Sequence, residues 1–220
     1  MRRRKAKDEL FAAFATAAKA LANGRRAEIV DVLSQGERSV DDLAAEIGQS
    51  VANTSQHLQV LARAGLVASR RSGPRVFYRL ASERVVDLWL AVRDIASEHV
   101  ASVEGLADAY LGDRSHVKQI DIDELATRLA AGSVVLLDVR PDVEFSAGHL
   151  PEAVSVPIAH LEERIRDLPT GDVVAYCRGP YCVYAIDAVR LLQAHGRAAR
   201  RFDAGVVEWQ RAGHRVAVCS

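Results

Sequence analysis

The chain has 220 residues, 49% hydrophobic and 26% charged, more than one small domain needs and enough for two of about 100 residues each. That balance excludes a disordered chain, a disulfide-stapled miniprotein and a collagen-like repeat. Basic and acidic residues both number 29, so no whole-chain field points to nucleic acid, but the charges are unevenly spread. Between Glu46 and Glu83 there is no acidic residue, while Arg63, Arg70, Arg71, Arg75 and Arg79 fall in the same stretch. Such a run suits a surface for a polyanion and suits a solvated basic face equally well.

The opening MRRRKAKDELFAAFATAAKA has basic residues before an apolar stretch. Asp8 and Glu9 precede that stretch, Thr16 interrupts it, and it runs into the next helical pattern, so it reads as an amphipathic helix and not a signal peptide. No run reaches the roughly 18 apolar residues of a membrane span. The chain therefore reads as cytoplasmic, with no membrane partner and with thiols normally kept reduced.

Helical spacing predicts helices over residues 8–22 and 25–34, the second burying Ile29, Val30 and Leu33 and stopping at Gly36. Ser39 followed by Asp42 predicts a capping box opening a helix from Val40 to Ile47. Ser50 then caps a helix from Val51 to Ala64 with Leu58 and Leu61 facing inward, which makes a helix-turn-helix across Gly48-Gln49-Ser50. LVASRRS and RVFYRLA flank Gly73-Pro74 and predict a β-hairpin with a basic tip. A long helix from about Glu83 to Leu111 follows, with Val85, Leu88, Trp89, Val92 and Ile95 along one face; its length suggests burial against a partner chain.

Three segments carry a family resemblance: LANGRRAEIVDVL, DDLAAEIGQSVANTSQHLQVLARAGLV and RRSGPRVFYRL. Residues 10–110 resemble the ArsR/SmtB winged-helix repressors. The resemblance implies a homodimer paired through the first and last helices of this domain, with double-stranded operator DNA as partner. The helix Val51–Ala64 would enter the major groove and the hairpin would act as a wing on the flanking backbone or minor groove. Ser50, Ala52, Asn53, Thr54 and Gln56 are read as exposed and able to meet base edges, and Arg70, Arg71 and Arg75 as neutralising phosphates. His57 reads as a packing-edge histidine.

Relatives of that kind often bind soft metals through a Cys-Val-Cys-Asp-Leu segment. Here the matching residues are Ser39-Val40-Asp41-Asp42-Leu43, without thiolates. Asp87, Asp94, Glu98, His99 and Glu104 on the long helix read as its solvated face. No metal site and no cofactor are expected, and sensing chemistry has to lie elsewhere.

GDRSHVK, residues 112–118, reads as a linker between a domain over 1–111 and a second over 119–220. In the second, a helix over Asp123–Ala130, a buried strand over Val134–Val139, a short helix near Val143–Ala147 and a strand around Ala153–Val156 alternate. A helix over His160–Leu168, a buried strand over Val173–Tyr176 and a helix over Val183–His195 complete an α/β pattern with a mostly parallel sheet. Three cysteines, Cys177, Cys182 and Cys219, all lie in this part. Cys177 falls at the carboxyl end of a buried strand before a short loop and a helix. Loop amides, a helix N-terminus and adjacent Arg178 would there favour thiolate over thiol. The other reading is a buried structural cysteine with a second nearby by chance.

LLDVRPDVEFSAGHLPEAVSVPI, VVAYCRGPYC and AGVVEWQRAGHRV carry a second resemblance, to the rhodanese (sulfurtransferase) domain. It implies that Cys177 is the nucleophile and persulfide carrier, taking sulfur from a sulfane-sulfur donor and passing it to a low-molecular-weight thiol or to cyanide. Arg178 and the amides of Gly179, Pro180, Tyr181, Cys182 and Val183 would form the cradle. Asp138 and Arg140 would sit at the neighbouring strand end among the catalytic residues, and Glu144 and His149 would be structural. The loop departs from the commoner pattern: Pro180 lacks an amide donor, the second arginine is missing, and Val183 stands where an arginine would support phosphatase-like chemistry. Cys182 instead offers a resolving thiol that converts a persulfide on Cys177 into a disulfide.

The combined reading is a DNA-binding repressor sensing reactive sulfur or thiol oxidation at Cys177 and Cys182. A sulfurtransferase with an attached DNA-binding domain, turning over weakly at Cys177, and an arsenite- or metal-responsive repressor using the same thiols stay open as alternatives.

Overall fold

The computed structural model describes residues 2–219. The chain forms two compact units, one up to His99 and one from Val100.

In the first unit α1 (Arg2–Leu21) and α2 (Gly24–Ser34) precede a two-residue strand β1 (Arg38–Ser39), α3 (Val40–Glu46) and α4 (Val51–Arg63). Helix starts are set locally. Ser39 accepts from the Asp42 N–H while the Asp42 carboxylate accepts from the Ser39 N–H, and Ser50 accepts from the Asn53 N–H. The hairpin is β2 (Val67–Ser72) and β3 (Arg75–Leu80), antiparallel, with β1 on the far side of β3 in the order β1-β3-β2. Ile29, Val30, Leu43, Leu58 and Leu61 meet in one core and are fully buried, each contributing about 1.5–3 kcal/mol of apolar burial.

The long helix expected over Glu83–Leu111 is two helices, α5 (Glu83–His99) and α6 (Ser102–Leu111), separated at Val100 and Ala101. The apolar period runs through both, so it reads as one helix, but the two halves serve different cores. Val85 of α5 belongs to the core of the first unit, whereas Leu111 and Ala107 of α6 pack in that of the second. Residues 112–118 are also held to the second unit. Val117 is buried in its core, and the Lys118 carbonyl accepts from the Arg201 N–H at 2.9 Å.

The second unit carries β4 (Gln119–Ile120), α7 (Ile122–Ala130), β5 (Val135–Asp138), α8 (Asp142–Ala147), β6 (Val154–Ser155) and α9 (Ile158–Arg164) with a 3₁₀ turn to Asp167. Then come β7 (Val173–Cys177), α10 (Val183–Ala194), β8 (Ala199–Gly205) and α11 (Val206–Arg211). The strands pair in the order β4-β8-β7-β5-β6, every pairing parallel. Along β7, Val173, Ala175 and Cys177 enter the core shared with α10, while Val174 and Tyr176 enter the core shared with Leu125 and Trp209. Alternate side chains thus bury on opposite faces, which is why this strand reads as an unbroken apolar run.

Candidate functional site

β7 delivers Cys177 to the carboxyl end of the sheet, and α10 begins six residues later with Cys182 as its N-cap. The two are joined as a disulfide, S–S 2.03 Å, with Cα atoms 6.3 Å apart. Cys177 is 1% exposed within the aliphatic core, while Cys182 is only partly buried and Tyr181 stands exposed beside it. In this form the residue expected to be the nucleophile is neither a thiolate nor open to solvent. Cys219 is free and exposed.

The expected cradle is partly used up. Pro180 has no N–H, and the Cys182 N–H donates to the Gly179 carbonyl at 3.2 Å. The carbonyls of Gly179 and Pro180 turn toward Arg201, whose Nη2 donates to both. No side chain caps α10, so its first-turn amides keep their partial positive charge at the disulfide.

Arg178 does not supply the unbalanced charge expected of it. Its Nε and Nη2 donate to Glu144 Oε1 at 3.0 and 2.6 Å, and its guanidinium lies over the Tyr184 ring. Glu144 is fully buried, so a carboxylate from α8 neutralises the arginine next to the cysteine. Asp138 and Arg140 also pair with each other, both 0% exposed, Oδ2 to Nη2 at 2.6 Å. The Arg140 backbone and Nε add bonds to Oδ1, and Nη2 bonds the Gly148 carbonyl. The pair anchors the end of β5 and offers no open face to a substrate. Burial opposes the charge on Arg140, but the hydrogen bond and charge of Asp138 hold its affinity for the proton above the usual arginine range. His149 stacks on Phe145 and bonds its carbonyl.

Sequence reasoning missed Arg201 and Gly205, because it did not read β8 as a strand. Arg201 is 1% exposed; its Nη2 meets Asp203 at 3.0 Å, while Nε and Nη1 have no hydrogen-bond partner among the described residues. Burial pulls its proton affinity down and pushes the Asp203 carboxyl up. The only signal was a pair of arginines, Arg200 and Arg201, between Ala199 and Phe202. Gly205 pairs with Cys177 across the sheet, and a Cβ there would stand 2.5 Å from the Arg178 carbonyl oxygen.

On the first unit, Ala52, Asn53 and Gln56 are exposed on α4, and the Ser50 hydroxyl is engaged as the cap. Thr54, expected among the exposed group, is fully buried and donates its hydroxyl to the Ser50 carbonyl at 3.0 Å. A small polar side chain in the first helical turn can satisfy itself on the backbone, and this one does so while facing the core. Arg71 and Arg75 are exposed at the hairpin tip. Arg70 is held by Glu37, with Nε 2.9 Å from both carboxylate oxygens, and lies over Phe77. Glu37→Gln is expected to release Arg70, tightening duplex binding at low salt and steepening the dependence of log affinity on log salt by about one. A fluorescence-anisotropy salt titration measures this, and an unchanged slope would keep Arg70 away from phosphate.

Residues 121–212 match the family described as Rhodanese-like domain, and residues 23–69 match Bacterial regulatory protein, arsR family. The HTH-type transcriptional regulator Rv0324 of Mycobacterium tuberculosis is 48% identical over 197 residues, 89% of this chain and 86% of that protein. This chain is an ArsR-family regulatory protein fused to a rhodanese-like domain. A protein named Sulfurtransferase from Allochromatium vinosum is 33% identical to this fusion over 99 residues, 44% of this chain and 92% of its own. A solution structure of a homodimeric winged helix-turn-helix domain from Mycobacterium bovis is 45% identical, covering 42% of this chain and 86% of that one, TM-score 0.41. Among the described residues of the fusion no group of three His, Cys, Asp or Glu side chains is arranged to hold a metal ion. No helix among them is long and apolar enough to cross a membrane.

Proposed function

We propose that this protein is a repressor whose affinity for operator DNA is set by the thiol–disulfide state of Cys177 and Cys182. The observation that carries the reading is the pair itself, closed into a disulfide at the carboxyl end of β7, where the ligand of an open parallel sheet is usually received. The oxidant is a sulfane-sulfur donor. The dithiol and a hydropersulfide RSSH give the disulfide, a thiol RSH and hydrogen sulfide, with both electrons leaving the two thiols and reducing the sulfane sulfur to sulfide.

α4 and the hairpin supply the DNA-reading face, with Asn53 and Gln56 at base edges and Arg71 and Arg75 on phosphates. Dimerisation joins α1 and α5 of two copies. Leu10, Phe11 and Phe14 on α1, and Val92 and Ile95 on α5, are large apolar side chains left exposed in the single chain. The sulfurtransferase reading keeps the same cysteine, but a persulfide there is discharged by Cys182 before many acceptors arrive.

Binding to an operator selected from random duplexes is the test, using reduced, polysulfide-treated and Cys177→Ser protein. The treated and reduced forms are expected to differ by about 5–150-fold, a coupling of about 1–3 kcal/mol, with Cys177→Ser unresponsive to polysulfide. Equal binding by all three would overturn the regulatory reading.

A further inference from the structure

The disulfide is asymmetric. One sulfur belongs to Cys177, 1% exposed among Val173, Ala175, Ile186 and other core residues. The other belongs to Cys182, partly exposed, N-cap of α10 and neighbour of exposed Tyr181. An attacking thiolate must approach one sulfur in line with the bond that breaks, so access selects which is attacked. Attack on Cys182 expels Cys177 as the leaving thiolate, whereas attack on Cys177 would need a path through the packed core.

From this asymmetry we infer that Cys182 is the entry point for sulfur exchange and Cys177 the resolving thiol, the reverse of the order that the rhodanese resemblance implies. This rests on the reading of the pair as the regulated group. In reduction, a thiolate RS⁻ bonds to Cys182 Sγ, the Cys177–Cys182 bond breaks, and its electron pair leaves on Cys177. A second thiolate attacks the sulfur of R in the mixed disulfide, releasing RSSR and the Cys182 thiolate, so two thiols are oxidised and one protein disulfide reduced. In oxidation, the Cys182 thiolate takes the sulfane sulfur of RSSH with RS⁻ leaving. The Cys177 thiolate then attacks Cys182 Sγ and expels HS⁻. The acceptors and donors that fit are small thiols and hydropersulfides able to reach a sulfur beside Tyr181.

The test uses the full chain with Cys219→Ser, oxidised to the disulfide. It is mixed with glutathione, quenched in acid at early times, blocked with N-ethylmaleimide and digested with trypsin. Cleavage after Arg178 places Cys177 in the peptide 167–178 and Cys182 in the peptide 179–190. The glutathione adduct is expected on 179–190 and the maleimide on 167–178, by at least about tenfold. An adduct on 167–178, or equal amounts on both, would overturn the proposal.

Single-thiol variants give an independent reading. With Cys219→Ser, the Cys177→Ser chain is expected to react with dithiobis(nitrobenzoate) at least about tenfold faster than the Cys182→Ser chain, and the two equally in urea. Equal rates in the folded state, or a faster Cys182→Ser chain, would count against it. Failure here and failure of the regulatory reading are separable. An adduct on Cys182 with DNA binding indifferent to redox state retains the order and removes the regulation; an adduct on Cys177 with redox-dependent DNA binding does the opposite.

Discussion

Replacing Asp138 with alanine is expected to lower the unfolding free energy of the rhodanese-like unit by about 3–5 kcal/mol, the usual consequence of stranding one member of a buried ion pair. Both partners are 0% exposed, and the Asp138 carboxylate accepts from the Arg140 backbone N–H and from its Nε and Nη2. Without the carboxylate the guanidinium loses its bidentate partner and keeps the Gly148 carbonyl, the nearby Tyr176 ring and the charge of Glu144, which does not replace that direct pairing. The Tyr176 phenol, whose oxygen accepts from the Leu150 N–H, is pushed up in proton affinity by burial and then by Asp138, and it cannot take over as the counter-charge at neutral pH. Asp138→Asn keeps an acceptor but not the charge and is expected to lose less. Urea unfolding followed by buried Trp209 in a Trp89→Phe background measures both. A loss under about 1 kcal/mol for the alanine variant would mean that the pair gives little net stabilisation.

Gly205→Ala is expected to destabilise the same unit by about 2–3 kcal/mol and to open the cysteine loop, since overpacking against backbone has no flexible side chain to yield. The added Cβ would meet the Arg178 carbonyl carbon at 2.6 Å and the Cys177 carbonyl oxygen at 2.8 Å. The backbone at this position, φ −134° and ψ −167°, is open to any residue, so the penalty is purely the close approach of β8 to the loop. The disulfide should then exchange with glutathione faster than in the parent chain. Unfolding and exchange measured on one preparation test the link. A stable variant with unchanged exchange would mean that the two strands separate without disturbing the loop.

Much of the molecule is legible because its signals are local. Ser39 with Asp42, and Ser50 with the Asn53 amide, mark helix starts with atoms three residues apart, and the structure makes both sets of bonds. The period of Leu58 and Leu61, and the unbroken run ending at Cys177, announce which faces are buried. β8 escaped because Arg200 and Arg201 interrupt the apolar pattern by which strands are recognised. The continuity of Glu83–Leu111 misled because periodicity reports that a face is apolar, not which core receives it. Arg178 looked like a free cation because its partner, Glu144, lies 34 residues away.

From the sequence alone came the two family resemblances, the order of most helices and strands, and a cysteine at a strand end followed by a second one five residues on. Those follow from backbone propensity, capping and apolar spacing, which act between near neighbours. Tertiary structure alone decided that Thr54 turns inward, that Glu144 neutralises Arg178, that Arg201 lies buried beneath the loop, and that Cys177 is sealed in the core while Cys182 is only partly buried. Burial and charge pairing depend on residues distant in the chain converging at one place, and no local pattern encodes that meeting.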